Sequence, residues 1–240
     1  MIKDLKEFSV GCIYENESLI VSSKENTISI YFDSSIANEN KNSITVPVDF
    51  VIRQHNKLVP IILSKLNLNK TIFARNCNVE KIEKNTAANF FNKFHFHGAT
   101  TSAYNYGLFY KDELIGAASF SKGRNMNRLP KGKQSFELIR FCCKNGITVT
   151  GGLSKLMKHF YLEKKAGDIM TYVDKQFSNG GSFIKAGFKI HSETPPLNFI
   201  VNKKTFERAP LKENEKFDAD LFYKVQNSGN IKMIYHPNEK

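Results

Sequence analysis

The chain is poor in several things, and each shortage excludes something. Among its 240 residues there is no tryptophan, and there are only four cysteines and 23 acidic residues against 35 lysines and arginines. No run approaches the roughly 18 uninterrupted apolar residues of a membrane-spanning helix. The amino end, "MIKDLKEFSVGCIYENESL", has no clean apolar stretch leading to a small-residue cleavage site, which argues against a secretory leader. Cys12, Cys77, Cys142 and Cys143 show no C-x-x-C spacing, and the adjacent pair points to opposite faces of a strand. They read as free thiols of a cytoplasmic protein, with no metal site expected.

The deficit of acids leaves a net charge of +12. An excess of that size favours polyanions, nucleic acid before a membrane surface, although a merely basic soluble protein shows it too. A hydrophobic content of 41% is enough for a core. No membrane contact and no obligate protein partner is indicated.

Residues 1–72 read as a β-rich extension. "SLIVSS", "TISIYFD" and "ITVPVDFVIR" have the β-branched runs of strands, "SSIANENKNS" is a polar loop, and "NKLVPIILSKLNLNK" suits a short helix if Pro60 lies in its first turn. Beyond that, "EKNTAANFFNKFHF" predicts a helix capped by Asn85 or Thr86, with Ala87, Phe90, Phe91 and Phe94 on one side. "AYNYGLFY" and "LIGAASFSK" predict a hairpin, and "GRNMNRLPKGKQS" a basic loop. "FELIRFCCK" predicts a strand, "GGLSKLMKHFYLEKKAG" a helix, "DIMTYVD" a strand and "NGGSFIKAG" a short helix ended by Gly187. "FKIHSE" and "NFIV" are strands, and 206–240 is a charged segment whose "LFYKVQNSGNIKMIY" suggests a hairpin turning at Asn227–Asn230.

That order of elements over about 73–205, with Asn179, Phe183 and Ala186-Gly187-Phe188 near its end, resembles the GNAT (Gcn5-related N-acetyltransferase) fold. The resemblance implies an α/β domain with a mixed, mostly antiparallel central sheet flanked by helices. The longer strings "ARNCNVEKI", "FELIRFCCKNGITVTGGLSKLMKHF" and "TYVDKQFSNGGSFIKAGF" are similar to the carboxyl-terminal module of phage homing-endonuclease-like proteins, and through it to Mom-type DNA-modification proteins. This kinship implies an acyltransferase using acetyl-CoA or a related acyl-CoA and acting on DNA. The alternative it leaves open is a non-catalytic DNA-binding module, and a small amine or protein acceptor is a third.

The chemistry needs amide hydrogens at a helix start to hold a diphosphate. Val149, Thr150, Gly151, Gly152, Leu153, Ser154 and Lys155 meet that need, or else the glycines are plain punctuation. Asn179 joins this set through the resemblance. For proton transfer the candidates are His95, Asp174 and Glu137. His95 is open to the reading of a packed histidine, and Asp174 to that of a turn cap. Glu137 and Arg140, three apart on one strand, are expected on opposite faces. Lys122, Arg124, Arg128, Lys131, Lys133 and Arg140 are the candidate phosphate contacts. Phe183 stands where many GNAT enzymes carry an acidic Tyr. Asp33, Asp49 and His55 are too few for a working nuclease in 1–72.

Overall fold

The computed structural model describes residues 1–15, 18–32 and 43–236. In chain order the elements are α1 (Ile2–Lys6), β1 (Gly11–Glu15), β2 (Ser18–Ser22), β3 (Thr27–Tyr31), β4 (Ser43–Thr45), α2 (Val48–Lys65) and β5 (Lys70–Phe73). A 3-10 turn (Ala74–Asn76) leads to β6 (Asn78–Lys81), α3 (Lys84–Phe94), β7 (Tyr104–Tyr110), β8 (Glu113–Phe120), β9 (Ser135–Cys143) and β10 (Ile147–Thr150). Then come α4 (Gly152–Lys164), β11 (Asp168–Asp174), α5 (Gly181–Lys185), β12 (Phe188–Glu193), β13 (Asn198–Asn202), β14 (Arg208–Pro210), β15 (Phe222–Gln226) and β16 (Asn230–Tyr235). They form two compact units, one of Met1–Leu68, Val173–Asn179 and Glu193–Ile231, the other of Asn69–Tyr172, Gly180–Ser192 and Lys232–Lys240.

In the first unit β1, β2 and β3 pair antiparallel and β4 adds in parallel. Alternation along β2 and β3 buries Leu19, Val21, Ile28 and Ile30. A second sheet runs β14-β13-β15. The expected strand over "ITVPVDFVIR" is corrected: it stops at Thr45, and α2 starts at Val48. Pro47 has φ −53° and no N–H to waste at a helix start, and the amides of Phe50 and Val51 bond back to its carbonyl. Pro60 therefore lies inside α2, not in its first turn, and the helix is interrupted earlier, at Gln54. Asp33 and most of the "SSIANENKNS" loop lie outside the described residues.

Asp49 is buried and binds Arg208 through both oxygens, at 2.7 and 2.8 Å. The guanidinium stacks over Phe50 at 4.1 Å and faces Phe199 at 5.2 Å. This acid holds two distant segments together and is not a metal ligand. Among the described residues no cluster of His, Cys, Asp and Glu fits a metal ion.

The second unit is built on a seven-stranded sheet, ordered β12-β16-β11-β9-β8-β7-β6. From β6 to β9 neighbours are antiparallel, whereas β9 and β11 are parallel. On one face Ala87, Phe90 and Phe91 of α3 pack on Ala117. Phe120, three residues on and of opposite parity, stacks on Phe160 of α4 at 3.8 Å, so the two helices cover opposite faces. This is the α/β architecture expected, a mostly antiparallel sheet flanked by helices. The cap of α3 is corrected to Glu83. The closing hairpin is corrected too: β15 pairs with β13, while β16 lies between β12 and β11. Asn227–Asn230 thus connects two sheets.

Candidate active site

The parallel ladder between β9 and β11 joins only Ser135–Glu137 to Asp168–Met170. The Thr171 hydroxyl takes the next carbonyl, that of Leu138, at 3.0 Å. From there no further β9–β11 pair follows among the described residues, although β9 continues to Cys143. A ladder that ends early in the middle of a sheet is unusual, because buried amides and carbonyls need partners. A ligand with amides of its own can supply them.

After β9, the chain turns through 144–146 into β10, which pairs in parallel with β5, and then enters α4. Gly151 caps α4 at φ +78°, a left-handed conformation that glycine takes without strain. No side chain caps this end. The first-turn amides at 152–154 and the positive end of the helix dipole are left for an anion. Gly152 is buried, and a Cβ there would stand 3.0 Å from Leu108 and Val149. Lys155 does not face this ligand space as expected. Its ammonium is spent on the carbonyls of Ala74, at 2.9 Å, and Cys77.

Glu137 and Arg140 share a face, contrary to the expectation from spacing. Ser119 of β8 lies opposite Arg140 and Phe120 opposite Leu138, so Ile139 is an extra residue, a β-bulge that resets the alternation. Burial pulls the Arg140 guanidinium below its ordinary range, and the Glu137 charge acts against that. Arg140 Nε donates to the Gly98 carbonyl at 3.1 Å and Nη1 to that of Ile139 at 2.9 Å. It is therefore an internal clamp and not an open phosphate contact.

The Gly98 carbonyl belongs to a knotted loop after α3. The Gly98 amide bonds to the His95 carbonyl, and the Ala99 amide to Asn92 Oδ1 at 2.9 Å. Gly98 has φ +65°, and a Cβ would meet Asn92 Oδ1 at 3.0 Å. The His97 amide donates to His95 Nδ1 at 3.1 Å. With Nδ1 so engaged, a neutral His95 carries its proton on Nε2 and presents a donor. Arg140 thus ties the histidine loop to the strand that carries Glu137.

The remaining candidates scatter. Asp174 belongs to the first unit, where its Oδ1 accepts the Gln176 amide at 2.9 Å in a turn that Phe177 and Ser178 close onto its carbonyl. Asn179 is exposed in the same unit. Phe183 packs its ring edge-on to Phe188, with centroids 5.5 Å apart. In the basic loop, Arg128 Nε reaches the buried Asp168 at 2.7 Å and its Nη2 the Ser135 hydroxyl at 3.0 Å. Lys133 bonds the Lys165 carbonyl at 3.3 Å. Lys122, Arg124 and Lys131 stay exposed.

No protein-family model and no curated protein matches the chain. Solved structures are similar to it. A GNAT family acetyltransferase from Elizabethkingia anophelis with acetyl-CoA bound is 15% identical over 67% of this chain and 98% of its own, with a TM-score of 0.40. Arabidopsis thaliana Naa50 with a bisubstrate analogue is 11% identical over 67% and 99%, with a TM-score of 0.43. A putative acetyltransferase from Salmonella typhimurium with acetyl-CoA is 12% identical over 69% and 96%, with a TM-score of 0.39.

Proposed function

We propose that the chain is a GNAT-like N-acyltransferase that uses acetyl-CoA or a related acyl-CoA. The observation that carries this reading is the end of the β9–β11 ladder after three paired residues, together with a helix start that lacks a cap. Bound there, the coenzyme supplies an activated thioester carbonyl to an amine. The amides at 152–154 hold the diphosphate, and β9 beyond its ladder with β11 lies alongside the pantetheine arm. Glu137 accepts the proton of the amine as the C–N bond forms. His95, protonated at Nε2 in its neutral form, donates a hydrogen bond to the oxyanion. The C–S bond would then break to release the coenzyme thiolate, which water protonates. Phe183 has no hydroxyl and takes no part in proton transfer.

The acceptor we favour is an amine of DNA, in keeping with the resemblance to Mom-type proteins of phage origin. The net charge of +12 and exposed Lys122, Arg124 and Lys131 support it. The second reading, a DNA-binding module without catalysis, is favoured by Phe183.

Acetyl-CoA should raise the melting temperature of the wild-type chain. Ser154→Asp should abolish that rise without unfolding the protein, because an acid in the first turn suits the helix but repels a diphosphate. Mass spectrometry of nucleosides from DNA treated with protein and acetyl-CoA then tests the acceptor. A wild-type melting temperature indifferent to acetyl-CoA, together with salt-dependent DNA binding, would falsify the transferase and leave the binding module.

A further inference from the structure

The segment that follows β5 runs beside the glycine turn, and the acyl-CoA reading gives it no task. In the parallel pair, Phe73 stands level with Thr150, the residue before Gly151. A Cβ on Gly151 would lie 3.6 Å from the Cβ of Ala74, so the two backbones pass at van der Waals distance. Phe73 leaves 48% of its surface in water although it ends a paired strand. The Arg75 guanidinium lies over its ring, 5.0 Å from the centroid, and Arg75 itself is exposed.

The cation that the sequence offers at this turn is Lys155, and two main-chain carbonyls have claimed it. Arg75 is the guanidinium on the segment that passes this turn, and its cation–π contact holds it over the Phe73 ring. An exposed aromatic ring joined to a planar cation is a surface for a flat, electron-rich ring that carries negative charge. Coenzyme A has that group at the end remote from the thioester: an adenine with a 3′-phosphate on its ribose.

We propose that Phe73 and Arg75 form the seat for the adenosine 3′-phosphate end of the coenzyme, the base stacking on the Phe73–Arg75 pair and the guanidinium binding the phosphate. The proposal rests on the acyl-CoA reading and extends it to the end of the ligand remote from the thioester. Its charge complementarity is specific, since a planar guanidinium binds phosphate oxygens two at a time, which an ammonium does not.

Calorimetric titration of the full chain with coenzyme A, 3′-dephospho-coenzyme A and pantetheine tests it, with Phe73→Ala and Arg75→Gln as variants. Both side chains are exposed, and unchanged melting temperatures verify the fold. Stacking and one charge-assisted phosphate contact each correspond to about tenfold in Kd. Arg75→Gln should cost coenzyme A about tenfold more affinity than it costs the dephospho form, which keeps the base but has no 3′-phosphate. Phe73→Ala should weaken both and spare pantetheine. Wild-type affinity for coenzyme A in both variants overturns the seat alone. A wild-type chain with no affinity for coenzyme A overturns the acyl-CoA reading and takes the seat with it.

Discussion

Glu163 shows how much one carboxylate in the second unit is asked to do. Burial would raise its pKa, but hydrogen bonds from Lys81 at 2.9 Å, Lys164 at 3.1 Å and the Tyr106 hydroxyl at 3.0 Å override that and bring it down to about 2. The same burial and the Glu163 bond push the Tyr106 phenol up. A carboxyl whose folded pKa lies below its ordinary 4.5 binds protons more readily when unfolded. Its stabilisation is therefore whole above pH 4.5 and drains away as pH falls toward 2. Urea unfolding followed from pH 5 to pH 2 should show falling midpoints, and Glu163→Gln should flatten that part of the curve. Equal slopes in the two proteins would mean that the cluster is not formed. Nothing local announces such clusters. Asp49 in the sequence resembles a stray metal ligand, and its true partner, Arg208, stands 159 residues away. Residue types were legible at both positions, but pairings set by long-range folding were not.

At the scale of elements, the periodic segments were legible because their side chains choose a face locally. α3, α4 and strands β7, β8, β9 and β11 fall where alternation and three-to-four spacing put them. Three features escaped. α2 displaced a strand because Pro47 made a helix start out of a β-branched run. β10 and β5 are short, and each depends on the other for pairing. The bulge at Ile139 changed the candidate site most, since spacing alone assigns Glu137 and Arg140 to opposite faces. The bulge also makes a prediction specific to this element. Arg140 holds the Gly98 carbonyl from the face that carries Glu137, so if His95 is the donor proposed above, Arg140 positions it. Arg140→Lys keeps the charge but loses the fork that bonds Gly98 and Ile139 together. Acetyl transfer should then fall about tenfold in kcat, as expected when a donor drifts from its place, with the KM for acetyl-CoA unchanged. A rise in KM alone would show that Arg140 serves coenzyme binding instead.

The whole molecule adds what no element carries, a charge of +12 that acts over a Debye length of about 8 Å at physiological salt. The sequence makes this excess plain but not its distribution, because it cannot tell a cation in water from one consumed inside the fold. Arg128 is engaged rather than buried: the residue is exposed, but its guanidinium lies against Asp168, a carboxylate with no exposed surface. Arg140 is engaged as well. Lys122, Arg124 and Lys131 remain exposed in the same basic loop. If the chain acts on DNA, these three and not Arg128 should carry the phosphate contacts. Each contact steepens the dependence of log K on log salt by about 0.9. The triple variant Lys122→Glu, Arg124→Glu, Lys131→Glu should flatten that slope by about 2–3 and keep the wild-type melting temperature. Arg128→Gln should do the reverse, because stranding the buried Asp168 costs about 3–5 kcal/mol of stability while removing no phosphate contact. Fluorescence anisotropy with a labelled duplex at several salt concentrations, paired with thermal melts, separates the two effects. A slope unchanged in the triple variant would place the DNA contact, and with it the acceptor, away from this loop.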